Sequence, residues 1–207
     1  DGRERRAVQP ELGLALVPGT GANGRLALKL SLLPAAPDCV LWRQVTDWER
    51  AARALLKPLE KFLVANVAAF KNARLASVAP QMGVRSGRRL LGRARLADDD
   101  VLSARKSPQG IARGGWPMER WGQSPRPQIT CFAERDCYDI PLDSLRPVEL
   151  DNVFVAGRCL SAETGAMTSA RVIGTALTTG WAAGTAAAFR AAGRPLGEAV
   201  ELIRAQS

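Results

Sequence analysis

The first part of the chain shows a two-residue apolar period beside a glycine-rich loop. Leu26, Leu28 and Leu30 alternate with small or polar residues, as in a strand that is buried on one face. A second apolar run covers residues 12–17, and the segment between the two runs is rich in residues that tolerate positive φ. The pattern predicts an antiparallel β-hairpin.

The loop of this hairpin contains a GxGxxG pattern at Gly19, Gly21 and Gly24. In a dinucleotide-binding loop the glycines must open a helix, whose N-terminus then faces the pyrophosphate. An alternating strand follows here instead, so we interpret these glycines as turn residues.

Helical periodicity begins after the hairpin. Residues 46–49 have the form of a capping box and predict a helix that runs to about residue 70. Pro58 lies inside this segment and should kink or divide it. Two further helix starts are expected, at residues 97–100 and at Ser107–Pro108. The apolar residues of the first helical segment are expected to be core residues, namely Leu55, Leu59, Phe62 and Leu63.

The final part of the chain has a different pattern. Residues 152–156 form a short apolar run that predicts a strand in a covered parallel sheet. After a turn at Gly157, a helix rich in small residues is expected over about 168–192, and an amphipathic helix over about 196–205. The stretch 172–189 has no charge, but glycine, alanine and threonine dominate it. We therefore expect a buried helix pressed on a sheet and no membrane span, with a small face of Gly180, Gly184 and Ala188.

The side chains present exclude two kinds of chemistry within this chain. It contains no histidine, and its four cysteines have no metal-ligand spacing, which excludes a zinc site of the usual type and histidine acid–base catalysis. Unpaired thiols without a signal peptide indicate a cytoplasmic protein. Cys131 and Cys137 are either part of an exposed turn or a redox pair, and Cys159 is interpreted as a packed thiol.

The chain has a formal net charge of +9, and the excess lies mainly in residues 85–126. Such a region is a solvated surface, a site for an anionic ligand or cofactor, or a nucleic-acid surface. It lacks interleaved aromatic residues and a recognisable binding module, which argues against nucleic acid. Arg85, Arg88 and Arg89 are read as donors of interdomain salt bridges, with Arg85 also a candidate for an anionic substrate.

The expected strand, loop and helix over residues 152–192 form an arrangement that favours anions. The first amides of the helix have no intrahelical acceptor, and their partial positive charge stabilises a group that gains negative charge. A reduced flavin is such a group. The amides concerned are expected to be those of Ala166, Met167, Thr168 and Ser169. Arg171 would lie in the first helical turn, where a cation is unfavourable, so it is either paired or kept for an anionic ligand.

Several short segments resemble the C-terminal signature of FAD-dependent oxidoreductases related to the flavoproteins of fumarate reductase and succinate dehydrogenase. The segments GRCLSA at 157–162, SARV at 169–172 and GWAAGTAA at 180–187 carry the resemblance. It extends over about residues 46–206. The upstream segments that share it are 79–85, 88–89, 100–102, 111–114, 138–141 and 151–157.

The resemblance implies an α/β flavoprotein in which an N-terminal, Rossmann-like half binds the ADP part of FAD. Residues 1–150 would be a substrate (cap) domain portion, with its hairpin or sheet and helices and with connecting segments. Residues 151–207 would return to the FAD-binding domain. We expect the chain to be a C-terminal piece that needs the ADP-binding half as a partner.

The resemblance also implies roles for single residues. Gly157, Arg158 and Cys159 would line the ribityl chain and the flavin edge, and the amides of residues 167–169 would bind the pyrimidine oxygens. Arg171 would bind a substrate carboxylate. The reaction would be hydride transfer between a small organic substrate and flavin N5.

Two departures from the family pattern leave an alternative open. Many relatives have a histidine where this chain has Thr164, and another where it has Trp121. Proton transfer would then fall to water, arginine, Tyr138 or a group outside this chain. The alternative is a non-catalytic module that keeps the flavoprotein scaffold.

Overall fold

The computed structural model describes residues 12–17, 20–21, 24–32, 41–120, 127–133 and 136–206. The expectations for Gly19, Cys39 and Trp121 lie outside these residues. The chain forms two compact units that divide between Gly87 and Arg88. Helices and small antiparallel sheets make up both units, which is consistent with the predicted α/β class.

The predicted hairpin is present in the first unit. Strand β1 (Leu12–Leu16) pairs antiparallel with β2 (Leu28–Leu32). In the connecting loop, the Thr20 hydroxyl donates to the Val17 carbonyl at 2.7 Å and accepts the Ala27 N–H at 3.0 Å. The glycine pattern therefore leads into a strand, and the turn interpretation of Gly21 and Gly24 is confirmed.

The helical segment of the first unit is divided, as Pro58 predicts. Helix α1 (Trp42–Ala54) and helix α2 (Leu56–Asn66) are separated at Leu55. Pro58 is the third residue of α2, where its missing N–H costs no intrahelical bond.

Two details of this segment differ from expectation. The helix begins at Trp42, and the Thr46 hydroxyl donates to the Trp42 carbonyl at 2.9 Å inside the helix. The prediction of a capping box at 46–49 is therefore wrong. Among the expected core residues Leu63 is buried, whereas Phe62 is 59% exposed.

The second unit begins with one short helix and two small sheets. Helix α3 (Asp98–Leu102) starts where the acidic segment predicts it. Strand β3 (Gly110–Gly114) pairs antiparallel with β6 (Tyr138–Pro141), and β4 (Met118–Arg120) pairs antiparallel with β5 (Gln128–Thr130). A 3₁₀ turn over Leu142–Leu145 follows β6.

The helix expected at Ser107–Pro108 is not formed. The Ser107 carbonyl accepts the Gly110 N–H at 3.0 Å, and its hydroxyl accepts the Gln109 N–H at 3.2 Å. These bonds close a single turn, after which the chain enters β3.

The C-terminal part contains three helices where two were expected. Helices α4 (Thr164–Ala170), α5 (Ile173–Ala191) and α6 (Leu196–Ala205) follow a 3₁₀ turn over Gly157–Cys159. The prediction of a single helix over about 168–192 is therefore wrong, because the chain leaves the helical conformation at Val172. Gly193, with φ of +68°, ends α5 as predicted.

The predicted strand over residues 152–156 is not formed either. This segment pairs with no strand among the described residues, and Val155 donates its N–H to the Leu145 carbonyl at 2.9 Å. Leu145 belongs to a 3₁₀ turn, which offers no continuous row of acceptors for a ladder. The chain therefore reaches Gly157 as an extended segment.

Helix α5 packs through one face only. Its buried residues are Thr175, Thr179, Ala182, Ala183 and Ala186. Gly180, Gly184 and Ala188, which were expected to press on a sheet, are exposed in this structure. The core of the unit also contains Leu96, Val101, Ile111, Met118, Tyr138, Ile140, Leu160 and Ile203.

Helices α3 and α4 cap each other. The Asp98 carboxylate accepts the Ala166 N–H at 2.7 Å, and the Glu163 carboxylate accepts the Asp98 N–H at 2.9 Å. A Cβ on Gly165 would lie 2.5 Å from an Asp98 oxygen, so only glycine permits this approach. The two bonds satisfy amides that have no intrahelical acceptor and fix the start of α4.

Replacing Asp98 should therefore destabilise the second unit. We expect Asp98→Ala to lower the free energy of unfolding by roughly 0.5–2 kcal/mol, the usual cost of a lost cap. Denaturant unfolding measures it, with Asp99→Ala as the control, because Asp99 is exposed and adjacent. An equal loss in both variants would contradict the capping role.

Tyr138 gives a second test, because it is the single tyrosine of the chain. Burial raises the pKa of Tyr138 to about 12, against an opposing effect of its hydrogen bond with Ser169. The unfolded chain thus loses the phenol proton at lower pH than the folded chain. Stability should fall by up to about 1.4 kcal/mol per pH unit from pH ~10 until the folded pKa is reached.

Tyrosinate absorbance during alkaline titration reports this residue alone. The expected result is a titration near the raised pKa that coincides with the loss of stability. Tyr138→Phe should remove the part of the pH dependence that this group causes. Tyrosinate formation at an ordinary phenol pKa in the folded protein would contradict the burial.

Candidate functional site

The 3₁₀ turn over Gly157–Cys159 lies against the first two turns of α5. Gly157 is buried with φ of +58°, a conformation that favours glycine, and a Cβ there would lie 3.4 Å from the Ala176 side chain. Its N–H donates to the Thr179 hydroxyl at 3.1 Å. These contacts fix the turn on α5, and they leave Arg158 and Cys159 exposed.

The segment that leads to this turn is held by charge at its beginning. Asp151 forms an ion pair with Arg93 and lies 3.9 Å from Arg146 and 3.8 Å from Arg190. The hydrogen bond from Arg93 and the surrounding positive charge lower the pKa of Asp151. The lowered pKa favours the ionised carboxylate, and the 3.8 Å contact brings the beginning of this segment next to Arg190 of α5.

The N-terminus of α5 is open. Val172 precedes it in an extended conformation, its first turn has no acidic residue, and no described side chain accepts a hydrogen bond from its first amides. Ile173 is 80% exposed, and a Cβ on Gly174 would have no atom within 4 Å. The amides of residues 173 and 174 therefore form the exposed, partially positive end of a long helix.

The start of α4, where the open amides were expected, is occupied. The Ala166 N–H binds Asp98, and the Met167 N–H binds the Glu163 carbonyl at 2.9 Å. Ser169 is fully buried, and its hydroxyl bonds Trp116 and Tyr138. The prediction of open amides at Ala166 and Met167 is therefore wrong. The helical conformation is interrupted at Val172, and the open helix start is that of α5. The proposed cofactor contacts of residues 166–169, Thr168 included, stay a prediction.

Tyr138 and Ser169 form a directed chain of hydrogen bonds inside the core. The Ser169 hydroxyl donates to the Trp116 carbonyl, so the Tyr138 hydroxyl, at 2.8 Å, is the donor to Ser169. Both side chains are fully buried. Tyr138 was one candidate for proton transfer, and its position in the core removes it from contact with a substrate.

Arg171 lies between α4 and α5. It ends α4, where a cation is favourable, and so the expectation that it lies in the first turn of a helix is wrong. Of the two expected alternatives, the structure shows the paired one. Its Nη2 lies 3.6 Å from Glu119 Oε2, with side chains that are 15% and 17% exposed.

Sequence reasoning missed Glu119. It is the only acidic residue between Asp100 and Glu134, within a basic stretch. That isolation was the available signal, although the pairing with Arg171 across 52 positions of chain has no sequence pattern.

The arginines upstream are divided between the two units. Arg85 belongs to the first unit, and each unit is described by itself, so the structure does not bring Arg85 to Arg171. Arg89 belongs to the second unit and donates to the Ala162 carbonyl at 2.8 Å and to the Thr164 hydroxyl at 3.2 Å. The latter is the position where relatives have a histidine.

The thiols within the described residues are unpaired. Cys131, Cys137 and Cys159 are free, and Cys159 is exposed, so its interpretation as a packed thiol is wrong in this structure. The described residues contain no group of side chains that could hold a metal ion. A helix long and apolar enough to span a membrane is likewise absent from them.

A cleft of about 300 Å³ lies elsewhere in the second unit. It contains none of the predicted site residues. Its lining residues are Pro108, Gln109, Leu142, Asp143, Arg146, Leu196, Gly197, Val200 and Glu201.

The chain matches a protein-family model. The model of the FAD dependent oxidoreductase family matches residues 11–205, which is almost the whole chain. No curated protein and no solved structure gives a significant match. The chain therefore belongs to the FAD dependent oxidoreductases, a family that binds FAD.

Proposed function

We propose that this chain closes the flavin site of an FAD-dependent oxidoreductase, with the Gly157–Cys159 turn and the first turn of α5 against the flavin. The supporting observation is the open helix N-terminus beside a glycine turn with φ of +58°. A helix N-terminus of this kind offers its first amides to the oxygens of a bound ring. FAD would supply the hydride chemistry at its N5 atom.

The residues of this chain would act by binding and orientation. The amides of residues 173 and 174 would donate hydrogen bonds to the pyrimidine oxygens, replacing the predicted donors over residues 167–169. Gly157 lets the backbone approach closely, and the exposed Arg158 and Cys159 face the ribityl chain. Because α5 is long and carries no acidic residue in its first turn, its N-terminus favours the negative charge of a reduced ring.

The substrate would be a small organic molecule. Arg171 and Arg85 are the candidates to contact it, and they would suit an anionic one. The chain has no histidine and Tyr138 is buried. We propose that protons move through water, an arginine or a group outside this chain.

The open face of α5 would be covered by the ADP-binding half of the flavoprotein. Ile173, Leu177 and Trp181 follow one another at helical spacing and are 80%, 70% and 43% exposed. Exposed apolar rows of this kind mark interaction surfaces. Among the described residues, the backbone of the extended segment 152–156 bonds through the Val155 N–H and the Ala156 carbonyl, and its other backbone groups would pair with a strand of the same partner.

A non-catalytic flavin-binding module is the second candidate. The missing histidine and the pairing of Arg171 with Glu119 favour it. Both candidates bind FAD, and they differ in whether a substrate bleaches the bound flavin under anaerobic conditions.

A charge at the start of α5 tests the flavin location. Gly174→Asp should reduce the affinity for FAD roughly tenfold, because a carboxylate at the second helical position repels the anionic cofactor and occupies the amides. Fluorescence titration of the protein joined to its ADP-binding half measures this affinity.

Gly197→Asp is the matched control, since Gly197 is also the second residue of a helix and has open space around it. Both variants should keep or slightly gain thermal stability, as acidic residues favour helix starts. Equal affinity for FAD in both variants would contradict the proposed location.

A lysine on the open face tests the partner surface. Leu177→Lys should abolish co-purification of the chain with the ADP-binding half while the Tm of the chain alone stays unchanged, because Leu177 contributes little to the core. Leu202→Lys on α6, where the side chain is 39% exposed, is the control and should bind normally. Retained binding by Leu177→Lys would assign this face to something else.

A further inference from the structure

A lysine and a cysteine lie in contact at the start of β6. We propose that Cys137, with the Lys106 ammonium beside its sulphur, is a site of reversible oxidation by hydrogen peroxide. The thiol would become a sulfenic acid, which is the first and reversible product of cysteine oxidation. This site lies outside the residues assigned to the flavin, and the inference does not depend on where the flavin binds.

The sulphur of Cys137 has a cation at hydrogen-bonding distance. Lys106 Nζ lies 3.3 Å from Cys137 Sγ and also donates to the carbonyl of the same residue. Asp136 completes the cluster, because its Oδ1 accepts the Cys137 N–H at 2.8 Å and lies 3.4 Å from Lys106 Nζ. Desolvation opposes the charge on Lys106, but hydrogen bonds with Cys137 and Asp136 outweigh it and raise the pKa of Lys106. The lysine therefore keeps its positive charge next to the sulphur at neutral pH.

The backbone on both sides of Lys106 is bonded to β6. Asp139 donates its N–H to the Arg105 carbonyl at 2.9 Å, and its carboxylate accepts the Ser107 N–H at 3.0 Å. A Cβ on Gly110 would lie 2.8 Å from an oxygen of that carboxylate, so the glycine leaves room for it. The segment that carries the lysine is thus fixed along the strand that follows the cysteine, and the contact between the two side chains follows from the backbone.

The alternation of β6 keeps Cys137 within reach of a small oxidant. Tyr138 and Ile140 are fully buried, whereas Cys137 and Asp139 are partly exposed. Successive side chains of an extended strand point to opposite faces, so the cysteine lies on the face that is not in the core.

The chemistry requires only the thiol and the oxidant. The thiolate is the reactive form of cysteine, and a neighbouring ammonium favours it. Its sulphur attacks one oxygen of hydrogen peroxide, the O–O bond breaks, and the departing hydroxide takes up a proton to form water. Sulphur loses two electrons and peroxide gains two. An added thiol reverses the oxidation through a mixed disulfide.

The other described thiols provide a comparison within the same molecule. Cys131 and Cys159 are exposed, whereas Cys137 is only partly exposed. Within the described part of the chain, no lysine or arginine forms a hydrogen bond with the sulphur of Cys131 or Cys159. Accessibility alone predicts that these two thiols react faster than Cys137, and the adjacent lysine predicts the reverse order.

The order of reaction is measured by treating the full protein with hydrogen peroxide at neutral pH, with dimedone present to trap sulfenic acids. Trypsin cleavage at Arg135 places Cys131 and Cys137 on separate peptides, so mass spectrometry follows each thiol by itself. Cys137 should be labelled roughly fivefold faster than Cys131 or Cys159, the effect expected of a unit charge about 4 Å away in water. Labelling of Cys131 or Cys159 at an equal or higher rate would overturn the proposal.

Variants of the lysine separate its charge from the exposure of the thiol. Lys106→Met should slow the labelling of Cys137 to the rate of the other thiols, and the fold should persist because the lysine side chain is 58% exposed. Lys106→Arg keeps the charge and should retain most of the rate. Lys57→Met is the matched control, since Lys57 is also exposed and pairs with Glu60 at 2.9 Å, and it should have no effect. An unchanged rate in Lys106→Met, or an arginine variant as slow as the methionine variant, would also overturn the proposal.

Discussion

The contact between the Gly157 turn and α5 controls the geometry of the whole candidate site. Gly157 has a left-handed φ of +58°, which favours glycine, and its N–H donates to the Thr179 hydroxyl of α5. In the extended segment before the turn, Val155 donates its N–H to the Leu145 carbonyl, and Asp151 at the beginning of the segment lies 3.8 Å from Arg190 of α5. These contacts help to fix where the turn meets α5. The proposed flavin site combines the first amides of the helix with the exposed residues of this turn.

The junction between α4 and α5 supplies the second constraint. Helix α4 is capped by Asp98 at its start and ended by Arg171, so its amides and its buried serine serve the fold. The break at Val172 separates this closed helix from the open one that follows. A closed helix start and an open one lie within ten residues of each other, and the proposed flavin site uses the open one.

Much of the fold could be predicted from local pattern. The hairpin, the division at Pro58, the helix at the acidic segment and the end of α5 at Gly193 depend on nearby residues, and these predictions are confirmed. The errors arose where residues far apart in the sequence determine the structure. Asp98 reaches Ala166 and Glu119 reaches Arg171 from other elements, and the run 172–189 looked buried because the sequence does not show which face its neighbours cover. The functional division at residue 150 stays a prediction, and the described residues of the second unit (88–120, 127–133 and 136–206) pack together across it.

Amide hydrogen exchange with and without FAD tests the central claim most directly. It should be measured residue by residue in the full flavoprotein, because open helix amides exchange readily until an acceptor covers them. The account predicts that FAD protects the amides of residues 173 and 174, with little change in the already bonded amides of Ala166 and Met167. Protection confined to residues 166–169, with residues 173 and 174 still exchanging freely, would contradict it.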